Sequence, residues 1–560
     1  MADTHITQAQ QQADMQKRLW AIANDLRGNM DASEYRNYML GLIFYRFLSG
    51  KVDSYAGELL ANDDLTFTQA YADEDMQAEL REEILSTLGF FIEPQYLYST
   101  LITDIQAGDF DIEKLENALN KVQESTIGRD SEDDFRGLFA DMDLHSSRLG
   151  KDTAQRSELM AKVMLNLADI PFDVSDLKID VLGDAYEYLI GQFAATAGKK
   201  AGEFYTPQQV SKILAGIVTL GHDRLKSAYD PTMGSGSLLL RVGDSVPIGE
   251  YYGQELNGTT YNLARMNLLM HGVNYARFDV YNGDTLEDDH FDSMVFDAVV
   301  ANPPYSAHWD PEGKLEDERF RKYGKTAPKS KADFAFVEHM LYHLANDGTM
   351  AVVLPHGVLF RGAAEGKIRQ YMIEQDNVLD AVIGLPANLF YGTSIPTAIL
   401  VFKKNRSQKD ILFIDASKEF EKGKNQNNLT DAQVDKIVKT YADRQDIDKF
   451  AHVAQYDEIV ENEFNLNIPR YVDTFEEEPP VDVDKLVADI QQTDQELNQS
   501  MAEFSKMLND LEGKNPDAQQ QLTKIKELFG QWVRKWRPMY GLRDFRTIGN
   551  SVSWKYYQIY

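Results

Sequence analysis

The pattern of apolar and polar positions divides the chain into three parts. Up to about residue 165, apolar side chains recur at spacings of three and four, as in Leu19, Ile22 and Leu26, which predicts amphipathic helices. From about residue 200, short apolar runs alternate with helical segments, a pattern typical of a parallel α/β sheet with helices on both faces. After an acidic, proline-marked linker at 477–484, apolar residues repeat every seven positions and predict a long helix.

The middle part contains the elements that would position a site. Its predicted strands include Ile248–Tyr252, Ala298–Ala301, Met350–Leu354, Val378–Ile383 and Ala398–Phe402. Its predicted helices include Gln208–Val218, Tyr261–Met270 and Ala335–Leu344. The last two strands are also compatible with an antiparallel pair. Because ligands bind beyond the carboxyl ends of parallel strands, we expect the functional residues at that edge of the sheet.

The C-terminal part predicts two helices and a docking surface. One seam of the long helix consists of Ile490, Leu497, Phe504 and Leu511, and the other of Val487, Met501 and Leu508, interrupted by Asp494. Such seams suit a coiled coil with a partner or a helix folded back on its own domain. A second helix is predicted at Asp517–Trp536, followed by an aromatic and locally basic tail to Tyr560. The predicted domains are therefore 1–165, 166–476 and 477–560.

Composition narrows the function classes. The 560 residues carry a formal charge of −32, which disfavours a protein that grips nucleic acid by itself, because phosphate binding needs clustered Lys and Arg. There is no cysteine, which excludes thiolate metal sites and the cysteine adduct of C5-cytosine methylation. The N-terminus lacks the pattern of a signal peptide and no apolar run approaches a membrane span, so we expect a soluble, cytoplasmic protein without membrane contact.

Polar residues occur at four successive strand ends. They are Asp230 before the turn Gly234-Ser235-Gly236, then Glu255, Asp284 and the tetrapeptide Asn302-Pro303-Pro304-Tyr305. The fingerprint G-x-G-x-x-G is incomplete, because Leu239 takes its last position. Each group alone would usually be a capped turn. Their order along the sheet, however, indicates a site for a cofactor with a ribose and for a second ligand at the prolines.

The tetrapeptide resembles the active-site segment of S-adenosylmethionine-dependent methyltransferases that modify amino groups. "GEFYTPQQVSKIL" at 202–214 and "LRGNMDASEYRNYMLGLIFYRFLS" at 26–49 are similar to modification subunits of type I restriction–modification systems. The resemblance implies an α/β fold: a Rossmann-like S-adenosylmethionine-dependent methyltransferase core, an all-helical N-terminal domain and a helical, coiled-coil-like C-terminal tail. It also implies N6-adenine methylation of DNA in a complex with a specificity subunit.

The resemblance further implies partners and a substrate geometry. Two copies of the chain would flank one specificity subunit, and an ATP-dependent restriction and translocation subunit would join the full complex. The substrate would be double-stranded DNA with the target adenine flipped out. This chain itself should not use ATP, since a phosphate-binding loop fails at Arg319, where a glycine is needed before "YGKT".

The tetrapeptide suits the chemistry of a conjugated amine. The Asn302 side-chain oxygen and the Pro303 carbonyl can accept both N–H hydrogens and turn the nitrogen lone pair toward the methyl donor, while Pro304 adds rigidity. Tyr305 would stack on the flipped base.

The resemblance also assigns the cofactor residues. Residues bordering the methionine part of S-adenosylmethionine would be Glu203, Phe204, Tyr205, Thr206, Pro207 and Gln208. The strand end at Asp230 and the turn of Gly234, Ser235, Gly236 and Ser237 would lie against the cofactor, Glu255 would hold its ribose and Asp284 its adenine. Thr232-Met233 departs from the small residues expected there, which affects packing beneath the turn.

Three alternatives remain open on the sequence. The tetrapeptide would also suit methylation of a glutamine amide in a protein or of a guanine amino group in RNA. The chain could instead be a catalytically silent scaffold for the specificity subunit.

The segment 306–332 also has two interpretations. It is rich in Lys and Arg, although acidic residues reduce its net positive charge, and it is either a solvated loop or a segment that closes on DNA.

Overall fold

The computed structural model describes residues 15–22, 32–170, 179–196, 206–390, 393–423, 426–474 and 482–536. The chain forms two compact units, Met1–Thr474 and Phe475–Tyr560, which are described separately. Within the described ranges, no helix has both the length and the apolar character that crossing a membrane requires.

Helices make up the N-terminal part of the first unit. They are α1 Ala32–Leu59, α2 Phe67–Tyr71, α3 Glu74–Leu88, α4 Tyr98–Ala107, α5 Ile112–Ser125, α6 Glu132–Phe135, α7 Thr153–Ala168 and α8 Ile179–Thr196. Residues 15–22 are also helical. Asp73, Asp111 and Asp152 cap the first turns of α3, α5 and α7 through their carboxylates. The predicted helical character of this region is confirmed.

A mixed nine-stranded sheet forms the centre of the remainder of this unit. Its strands, with a separate small hairpin, are β1 Leu225–Asp230, β2 Ile248–Glu255, β3 Phe278–Asn282, β4 Phe296–Ala301, β5 Leu344–Pro355, β6 Leu379–Gly384, β7 Thr397–Lys403, β8 Ile411–Asp415, β9 Glu421–Lys422, β10 Asn427–Asn428 and β11 Ala451–Ala454. The order in the large sheet is β11-β8-β6-β7-β5-β4-β1-β2-β3. Strand β7 runs antiparallel to both β5 and β6, so the structure decides the direction of the last two predicted strands, which the sequence left open, as antiparallel.

Helices cover both faces of this sheet. They are α9 Gln208–Val218, α10 Ser237–Ser245, α11 Gly258–Met270, α12 Glu318–Arg321, α13 Asp333–Tyr342, α14 Ala363–Glu374, α15 Asp431–Asp443 and α16 Tyr456–Glu461. The central strands are apolar and buried along almost their whole length, as expected for a sheet covered on both faces. Alternate side chains of β4 illustrate this, since Val299 packs in one core cluster and Val300 in the other.

The helical part is anchored to the sheet part through α11. The buried guanidinium of Arg265 donates to the backbone carbonyls of Asp133, Asp134 and Arg136 at 2.8, 3.0 and 3.0 Å. These three bonds stabilise the contact between the two parts, because a buried cation without hydrogen-bond partners would cost free energy.

A second contact lies at the first turn of the same helix. The carboxylate of Asp141 accepts hydrogen bonds from Thr259 Oγ1 at 2.6 Å and from Asn262 Nδ2 at 2.9 Å. The turn around residues 133–141 therefore holds α11 along much of its length.

The segment after the tetrapeptide is folded, so the solvated-loop interpretation of 306–332 is wrong. Trp309, Phe320 and Tyr323 are buried in it. The guanidinium of Arg319 is also buried and donates to Asp317 at 2.7 Å, to the carbonyl of Thr285 at 2.8 Å and to His339 Nδ1 at 3.0 Å. Burial holds the pKa of His339 well below its usual value, which leaves this ring neutral and able to accept from the arginine.

Part of the positive charge of this segment is neutralised internally. Lys314 pairs with Glu287 at 2.9 Å, and Lys322 pairs with Asp376 at 2.7 Å. Among the described residues, Lys325 and Lys331 form no ion pair within 4.0 Å, although Lys331 lies near enough to Glu365 to counteract the rise that burial causes in the pKa of that carboxyl.

The second unit is a hairpin of two helices, α17 Val483–Asp510 and α18 Pro516–Trp536. The rings of Phe504 and Phe529 contact edge to face with centroids 4.8 Å apart, and Lys526 Nζ donates to the Asn509 carbonyl at 3.0 Å. Both predicted helices are confirmed, but their pairing was not foreseen, and Leu511 lies one residue beyond α17. Ile490 and Leu497 on the predicted seam remain 41% and 50% exposed.

Candidate active site

The four strand ends that the sequence singled out lie next to one another. Strands β3, β2, β1 and β4 are neighbours in the sheet and run parallel, so their carboxyl ends share one edge. Glu255 ends β2, Asn302 directly follows β4, and Asp284 lies two residues after β3. This edge is where an open α/β sheet binds ligands.

The glycine-rich turn after β1 is built around two carboxylates. Asp230 ends the strand and accepts from the Thr232 backbone N–H at 2.9 Å, which closes an Asx turn. Glu255 Oε2 accepts from the Gly234 N–H at 3.1 Å and Oε1 from the Asn257 N–H at 2.8 Å. Gly234 and Gly236 have φ of +55° and +76°, conformations that favour glycine. Residues with a side chain would strain the backbone at these two positions, so the turn depends on glycine.

The departure at Met233 has a local explanation. Its side chain is buried and lies over Gly253 of β2, where a Cβ atom would stand 2.5 Å from the Met233 sulfur. The larger residue in the turn is thus accommodated by a glycine in the neighbouring strand.

Burial changes the ionisation of Asp230. Its side chain is almost inaccessible, and this desolvation raises its pKa to about 8, with the nearby negative charge of Glu255 acting in the same direction. The carboxyl is therefore largely protonated at neutral pH, whereas an ordinary aspartate would be ionised.

The segment after β3 closes over the same edge. Asp284 Oδ1 accepts from the Leu286 N–H at 3.0 Å, and buried Thr285 donates its hydroxyl to the Pro231 carbonyl at 2.6 Å. Gln254 Nε2 donates to the Asp288 carbonyl at 2.6 Å. These bonds fix the 284–288 turn against the glycine-rich turn, so Asp284 and Glu255 lie at the same edge of the sheet.

The carboxamide of Asn302 lies between two hydroxyl groups. Its Nδ2 donates to Thr206 Oγ1 at 3.1 Å, and its Oδ1 accepts from the Tyr305 hydroxyl at 2.7 Å. The Tyr305 ring meets Phe390 edge to face with centroids 6.1 Å apart. Burial raises the pKa of the Tyr305 hydroxyl, which therefore stays protonated and able to donate.

Downstream contacts hold the tetrapeptide in place. Ser306 adopts φ of +52°, and its N–H donates to Asp333 Oδ1 at 2.8 Å. Arg361 pairs with Asp333 Oδ2 at 2.7 Å, and Asp333 is itself buried. We did not predict Phe390, Asp333 or Arg361 from the sequence, because all three reach the site from distant segments.

The described residues include only the second half of the predicted cofactor segment, 206–208. Glu203, Phe204 and Tyr205 lie outside the described residues. Thr206 contacts Asn302, whereas Gln208 Nε2 points to Glu187 of α8 at 3.3 Å. The hydroxyls of Ser235 and Ser237 bond to each other at 2.9 Å.

Comparisons with protein families identify two regions. The family model described as N-6 DNA Methylase matches residues 177–479, and the one described as HsdM N-terminal domain matches residues 15–167. The chain is 37% identical to the type I restriction enzyme MpnII methylase subunit of Mycoplasma pneumoniae, over 85% of this chain and 92% of that protein. It is 33% identical to the MjaVIII methylase subunit of Methanocaldococcus jannaschii, over 79% and 76% of the two chains.

Solved structures agree with these matches. The crystal structure of a type I restriction–modification methyltransferase subunit from Streptococcus thermophilus superposes with a TM-score of 0.78 at 45% identity, covering 82% of this chain and 100% of that one. A modification subunit of a putative type I restriction enzyme from Vibrio vulnificus shares the fold, with a TM-score of 0.60 at 18% identity over 85% and 99% of the two chains.

Proposed function

This chain belongs to the N-6 DNA methylase family and is a methylase subunit of the type I restriction enzymes, and we propose that it methylates N6 of a flipped adenine in specific DNA sites. The observation that carries the proposal is the position of Asn302 beside the edge framed by Glu255 and Asp284. S-adenosylmethionine is the methyl donor of this family. The glycine-rich turn and the two carboxylates at this edge suit its methionine, ribose and adenine parts.

In the proposed mechanism, the tetrapeptide makes the nitrogen lone pair of the adenine amino group available for methylation. The Asn302 side-chain oxygen and the Pro303 carbonyl accept the two N–H hydrogens of the adenine amino group, which turns its lone pair away from the ring system. Pro303 and Pro304 keep both acceptors fixed before the base arrives, so little reorganisation is needed at the moment of reaction. Tyr305 stacks on the base, with Phe390 supporting the ring from the side.

The proposed cofactor contacts follow the strand ends. Glu255 holds the ribose hydroxyls and Asp284 the adenine of the cofactor, while Asp230, Gly234, Ser235, Gly236 and Ser237 line the remaining part with the segment 203–208. One feature of Glu255 supports its role: the carboxylate accepts two backbone N–H groups, from Gly234 and Asn257, and these bonds hold it at the carboxyl edge of the sheet.

Assembly is the second part of the proposal. The boundaries 1–165, 166–476 and 477–560 define a helical domain, a catalytic domain and a docking hairpin. We expect two copies of the chain to bind one specificity subunit, and the ATP-dependent restriction subunit to join them. Because the chain carries a charge of −32, the specificity subunit would provide most of the grip on double-stranded DNA, with Lys325 and Lys331 as local contacts.

The test of this function is methyl transfer to a defined base. The chain, co-purified with its specificity subunit, is incubated with DNA and S-adenosylmethionine carrying a labelled methyl group, and the DNA is digested to nucleosides. Label in N6-methyl-2′-deoxyadenosine supports the proposal. Label in RNA or protein instead, or in no product, would favour the methylation of another conjugated amine or a silent scaffold.

Glu255→Ala is expected to weaken S-adenosylmethionine binding by about 1.5–3 kcal/mol, the value of a lost charge-assisted hydrogen bond. Saturating cofactor should then restore much of the methylation rate. Calorimetric titration measures the affinity, with Glu250→Ala in the same strand as the matched control. Unchanged affinity of the Glu255 variant would assign the ribose to another residue.

Asp230 should make the stability of the chain depend on pH. Its pKa is about 8 in the folded state and about 4 in the unfolded state, so its contribution is fully present below pH 4 and is lost as the pH rises through 8. We expect wild type to lose roughly 2–5 kcal/mol of unfolding free energy relative to Asp230→Asn between these limits. Denaturant unfolding at pH 5 and pH 8.5 measures this, and equal losses in both proteins would contradict it.

A further inference from the structure

The side chain of Asn302 has a partner that lies outside the tetrapeptide. Thr206 is separated from it by 96 positions along the chain, yet its Oγ1 accepts from Asn302 Nδ2 at 3.1 Å. The threonine is half-buried and lies two residues before α9. The first turn of α9 is fixed by Pro207, with φ of −53°, and by the Ser211 N–H bond to the Pro207 carbonyl at 3.0 Å. The hydroxyl is thus presented from a constrained position.

We propose that Thr206 is a positioning residue for Asn302, an inference that rests on the proposed function. A carboxamide has an acceptor end and a donor end of nearly the same shape. If it turned over, Asn302 would present an N–H to the target amine, and two donors would face each other. The Thr206 hydroxyl accepts from Nδ2 and so holds that end of the carboxamide in place, which leaves Oδ1 as the end available to the amine.

The Tyr305 hydroxyl does not replace this contact. It donates to Asn302 Oδ1 at 2.7 Å and therefore competes with the incoming amine for the same oxygen. When the amine takes that oxygen, the bond to Thr206 at the other end of the carboxamide is the one that still defines its orientation. Thr206 therefore connects the segment before α9, which we expect along the cofactor, with the residue that handles the base.

A kinetic experiment separates this role from simple cofactor binding. Thr206→Val removes the hydroxyl at constant shape, and Thr206→Ser keeps it as the matched control. Both are measured in the complex with the specificity subunit on site-bearing DNA. We expect Val to lower kcat about tenfold with the cofactor Kd within about twofold of wild type, and Ser to keep kcat within about threefold.

A second background sharpens the test. In Tyr305→Phe, which lacks the competing hydroxyl, the loss of kcat caused by Thr206→Val should persist, because the two hydroxyls contact opposite ends of the carboxamide. Thermal unfolding of each variant checks that the fold is retained, and Thr206→Ala replaces the valine variant if valine unfolds the chain.

Two results would overturn the inference. One is a cofactor Kd that rises in Thr206→Val while saturating S-adenosylmethionine restores kcat, since the threonine would then serve the cofactor alone. The other is unchanged kcat in a folded variant. A wild-type complex that transfers no methyl group to adenine would instead contradict the proposed function.

Discussion

Asn302→Ala should reduce methyl transfer by about 100-fold or more, the usual cost of removing one preorganised hydrogen-bonding group from a reacting centre. The loss should fall on kcat, because alanine removes the acceptor that draws the amine lone pair out of the ring. Cofactor affinity should stay within about twofold of wild type, since the cofactor is assigned to the ends of β1, β2 and β3. Single-turnover methylation and calorimetry of the same preparation measure the two quantities.

The matched control is Asn346→Ala, which makes the same change at an exposed position near the amino end of β5, away from the carboxyl edge. It should leave both quantities at the wild-type level. Near-normal turnover in Asn302→Ala would remove this residue from the mechanism. A parallel loss of cofactor binding would mean that the variant disturbs the whole edge and tests nothing specific to the amine.

A chain ending at Thr474 should fold and bind S-adenosylmethionine but fail to co-purify with the specificity subunit. The first unit is compact up to this residue, and Tyr471 and Val472 complete its core, so the cut leaves that core intact. The hairpin exposes apolar side chains that a facing helix would bury, and their loss should abolish assembly and with it the methylation of specific DNA.

A point variant refines this experiment. Leu497→Lys places a charge on the exposed seam of α17, whereas Gln495→Lys adds the same charge to the same helix off the seam. Only the first should weaken co-purification, by about tenfold or more, because burying an unpaired lysine is costly. A truncated chain that still assembles and methylates normally would move the docking surface to the helical N-terminal domain.

The sequence predicted the elements of the site because each obeys a local rule. Short apolar runs between helical segments predicted β2, β4, β5, β6 and β7. The polar residues that follow such runs were then predicted to lie at strand ends. The Asn302–Thr206 bond could not be predicted in this way, because it joins segments whose proximity depends on the crossover of the sheet. The burial of Arg319 could not be predicted either, since a basic residue in a polar segment normally faces solvent.

Turn geometry set a second limit. Met233 looked like a departure from the expected small residue, yet the compensating Gly253 lies in the next strand. Neither residue is unusual alone, and only the register of β1 with β2 relates them. The hairpin of α17 and α18 was missed for a similar reason, because an a/d seam specifies that a helix needs a partner and does not specify which one.

The contacts of α11 couple the helical domain mechanically to the cofactor edge. This helix starts three residues after Glu255, with Asn257 as its cap. Asp141 binds it at its first turn, and the backbone of 133–136 binds it at Arg265. If the helical domain is displaced, α11 has to move with it, and so does the carboxylate of Glu255 that precedes α11. We therefore expect cofactor binding at this edge and the position of the helical domain to be linked, in which case each biases the other by the same free energy.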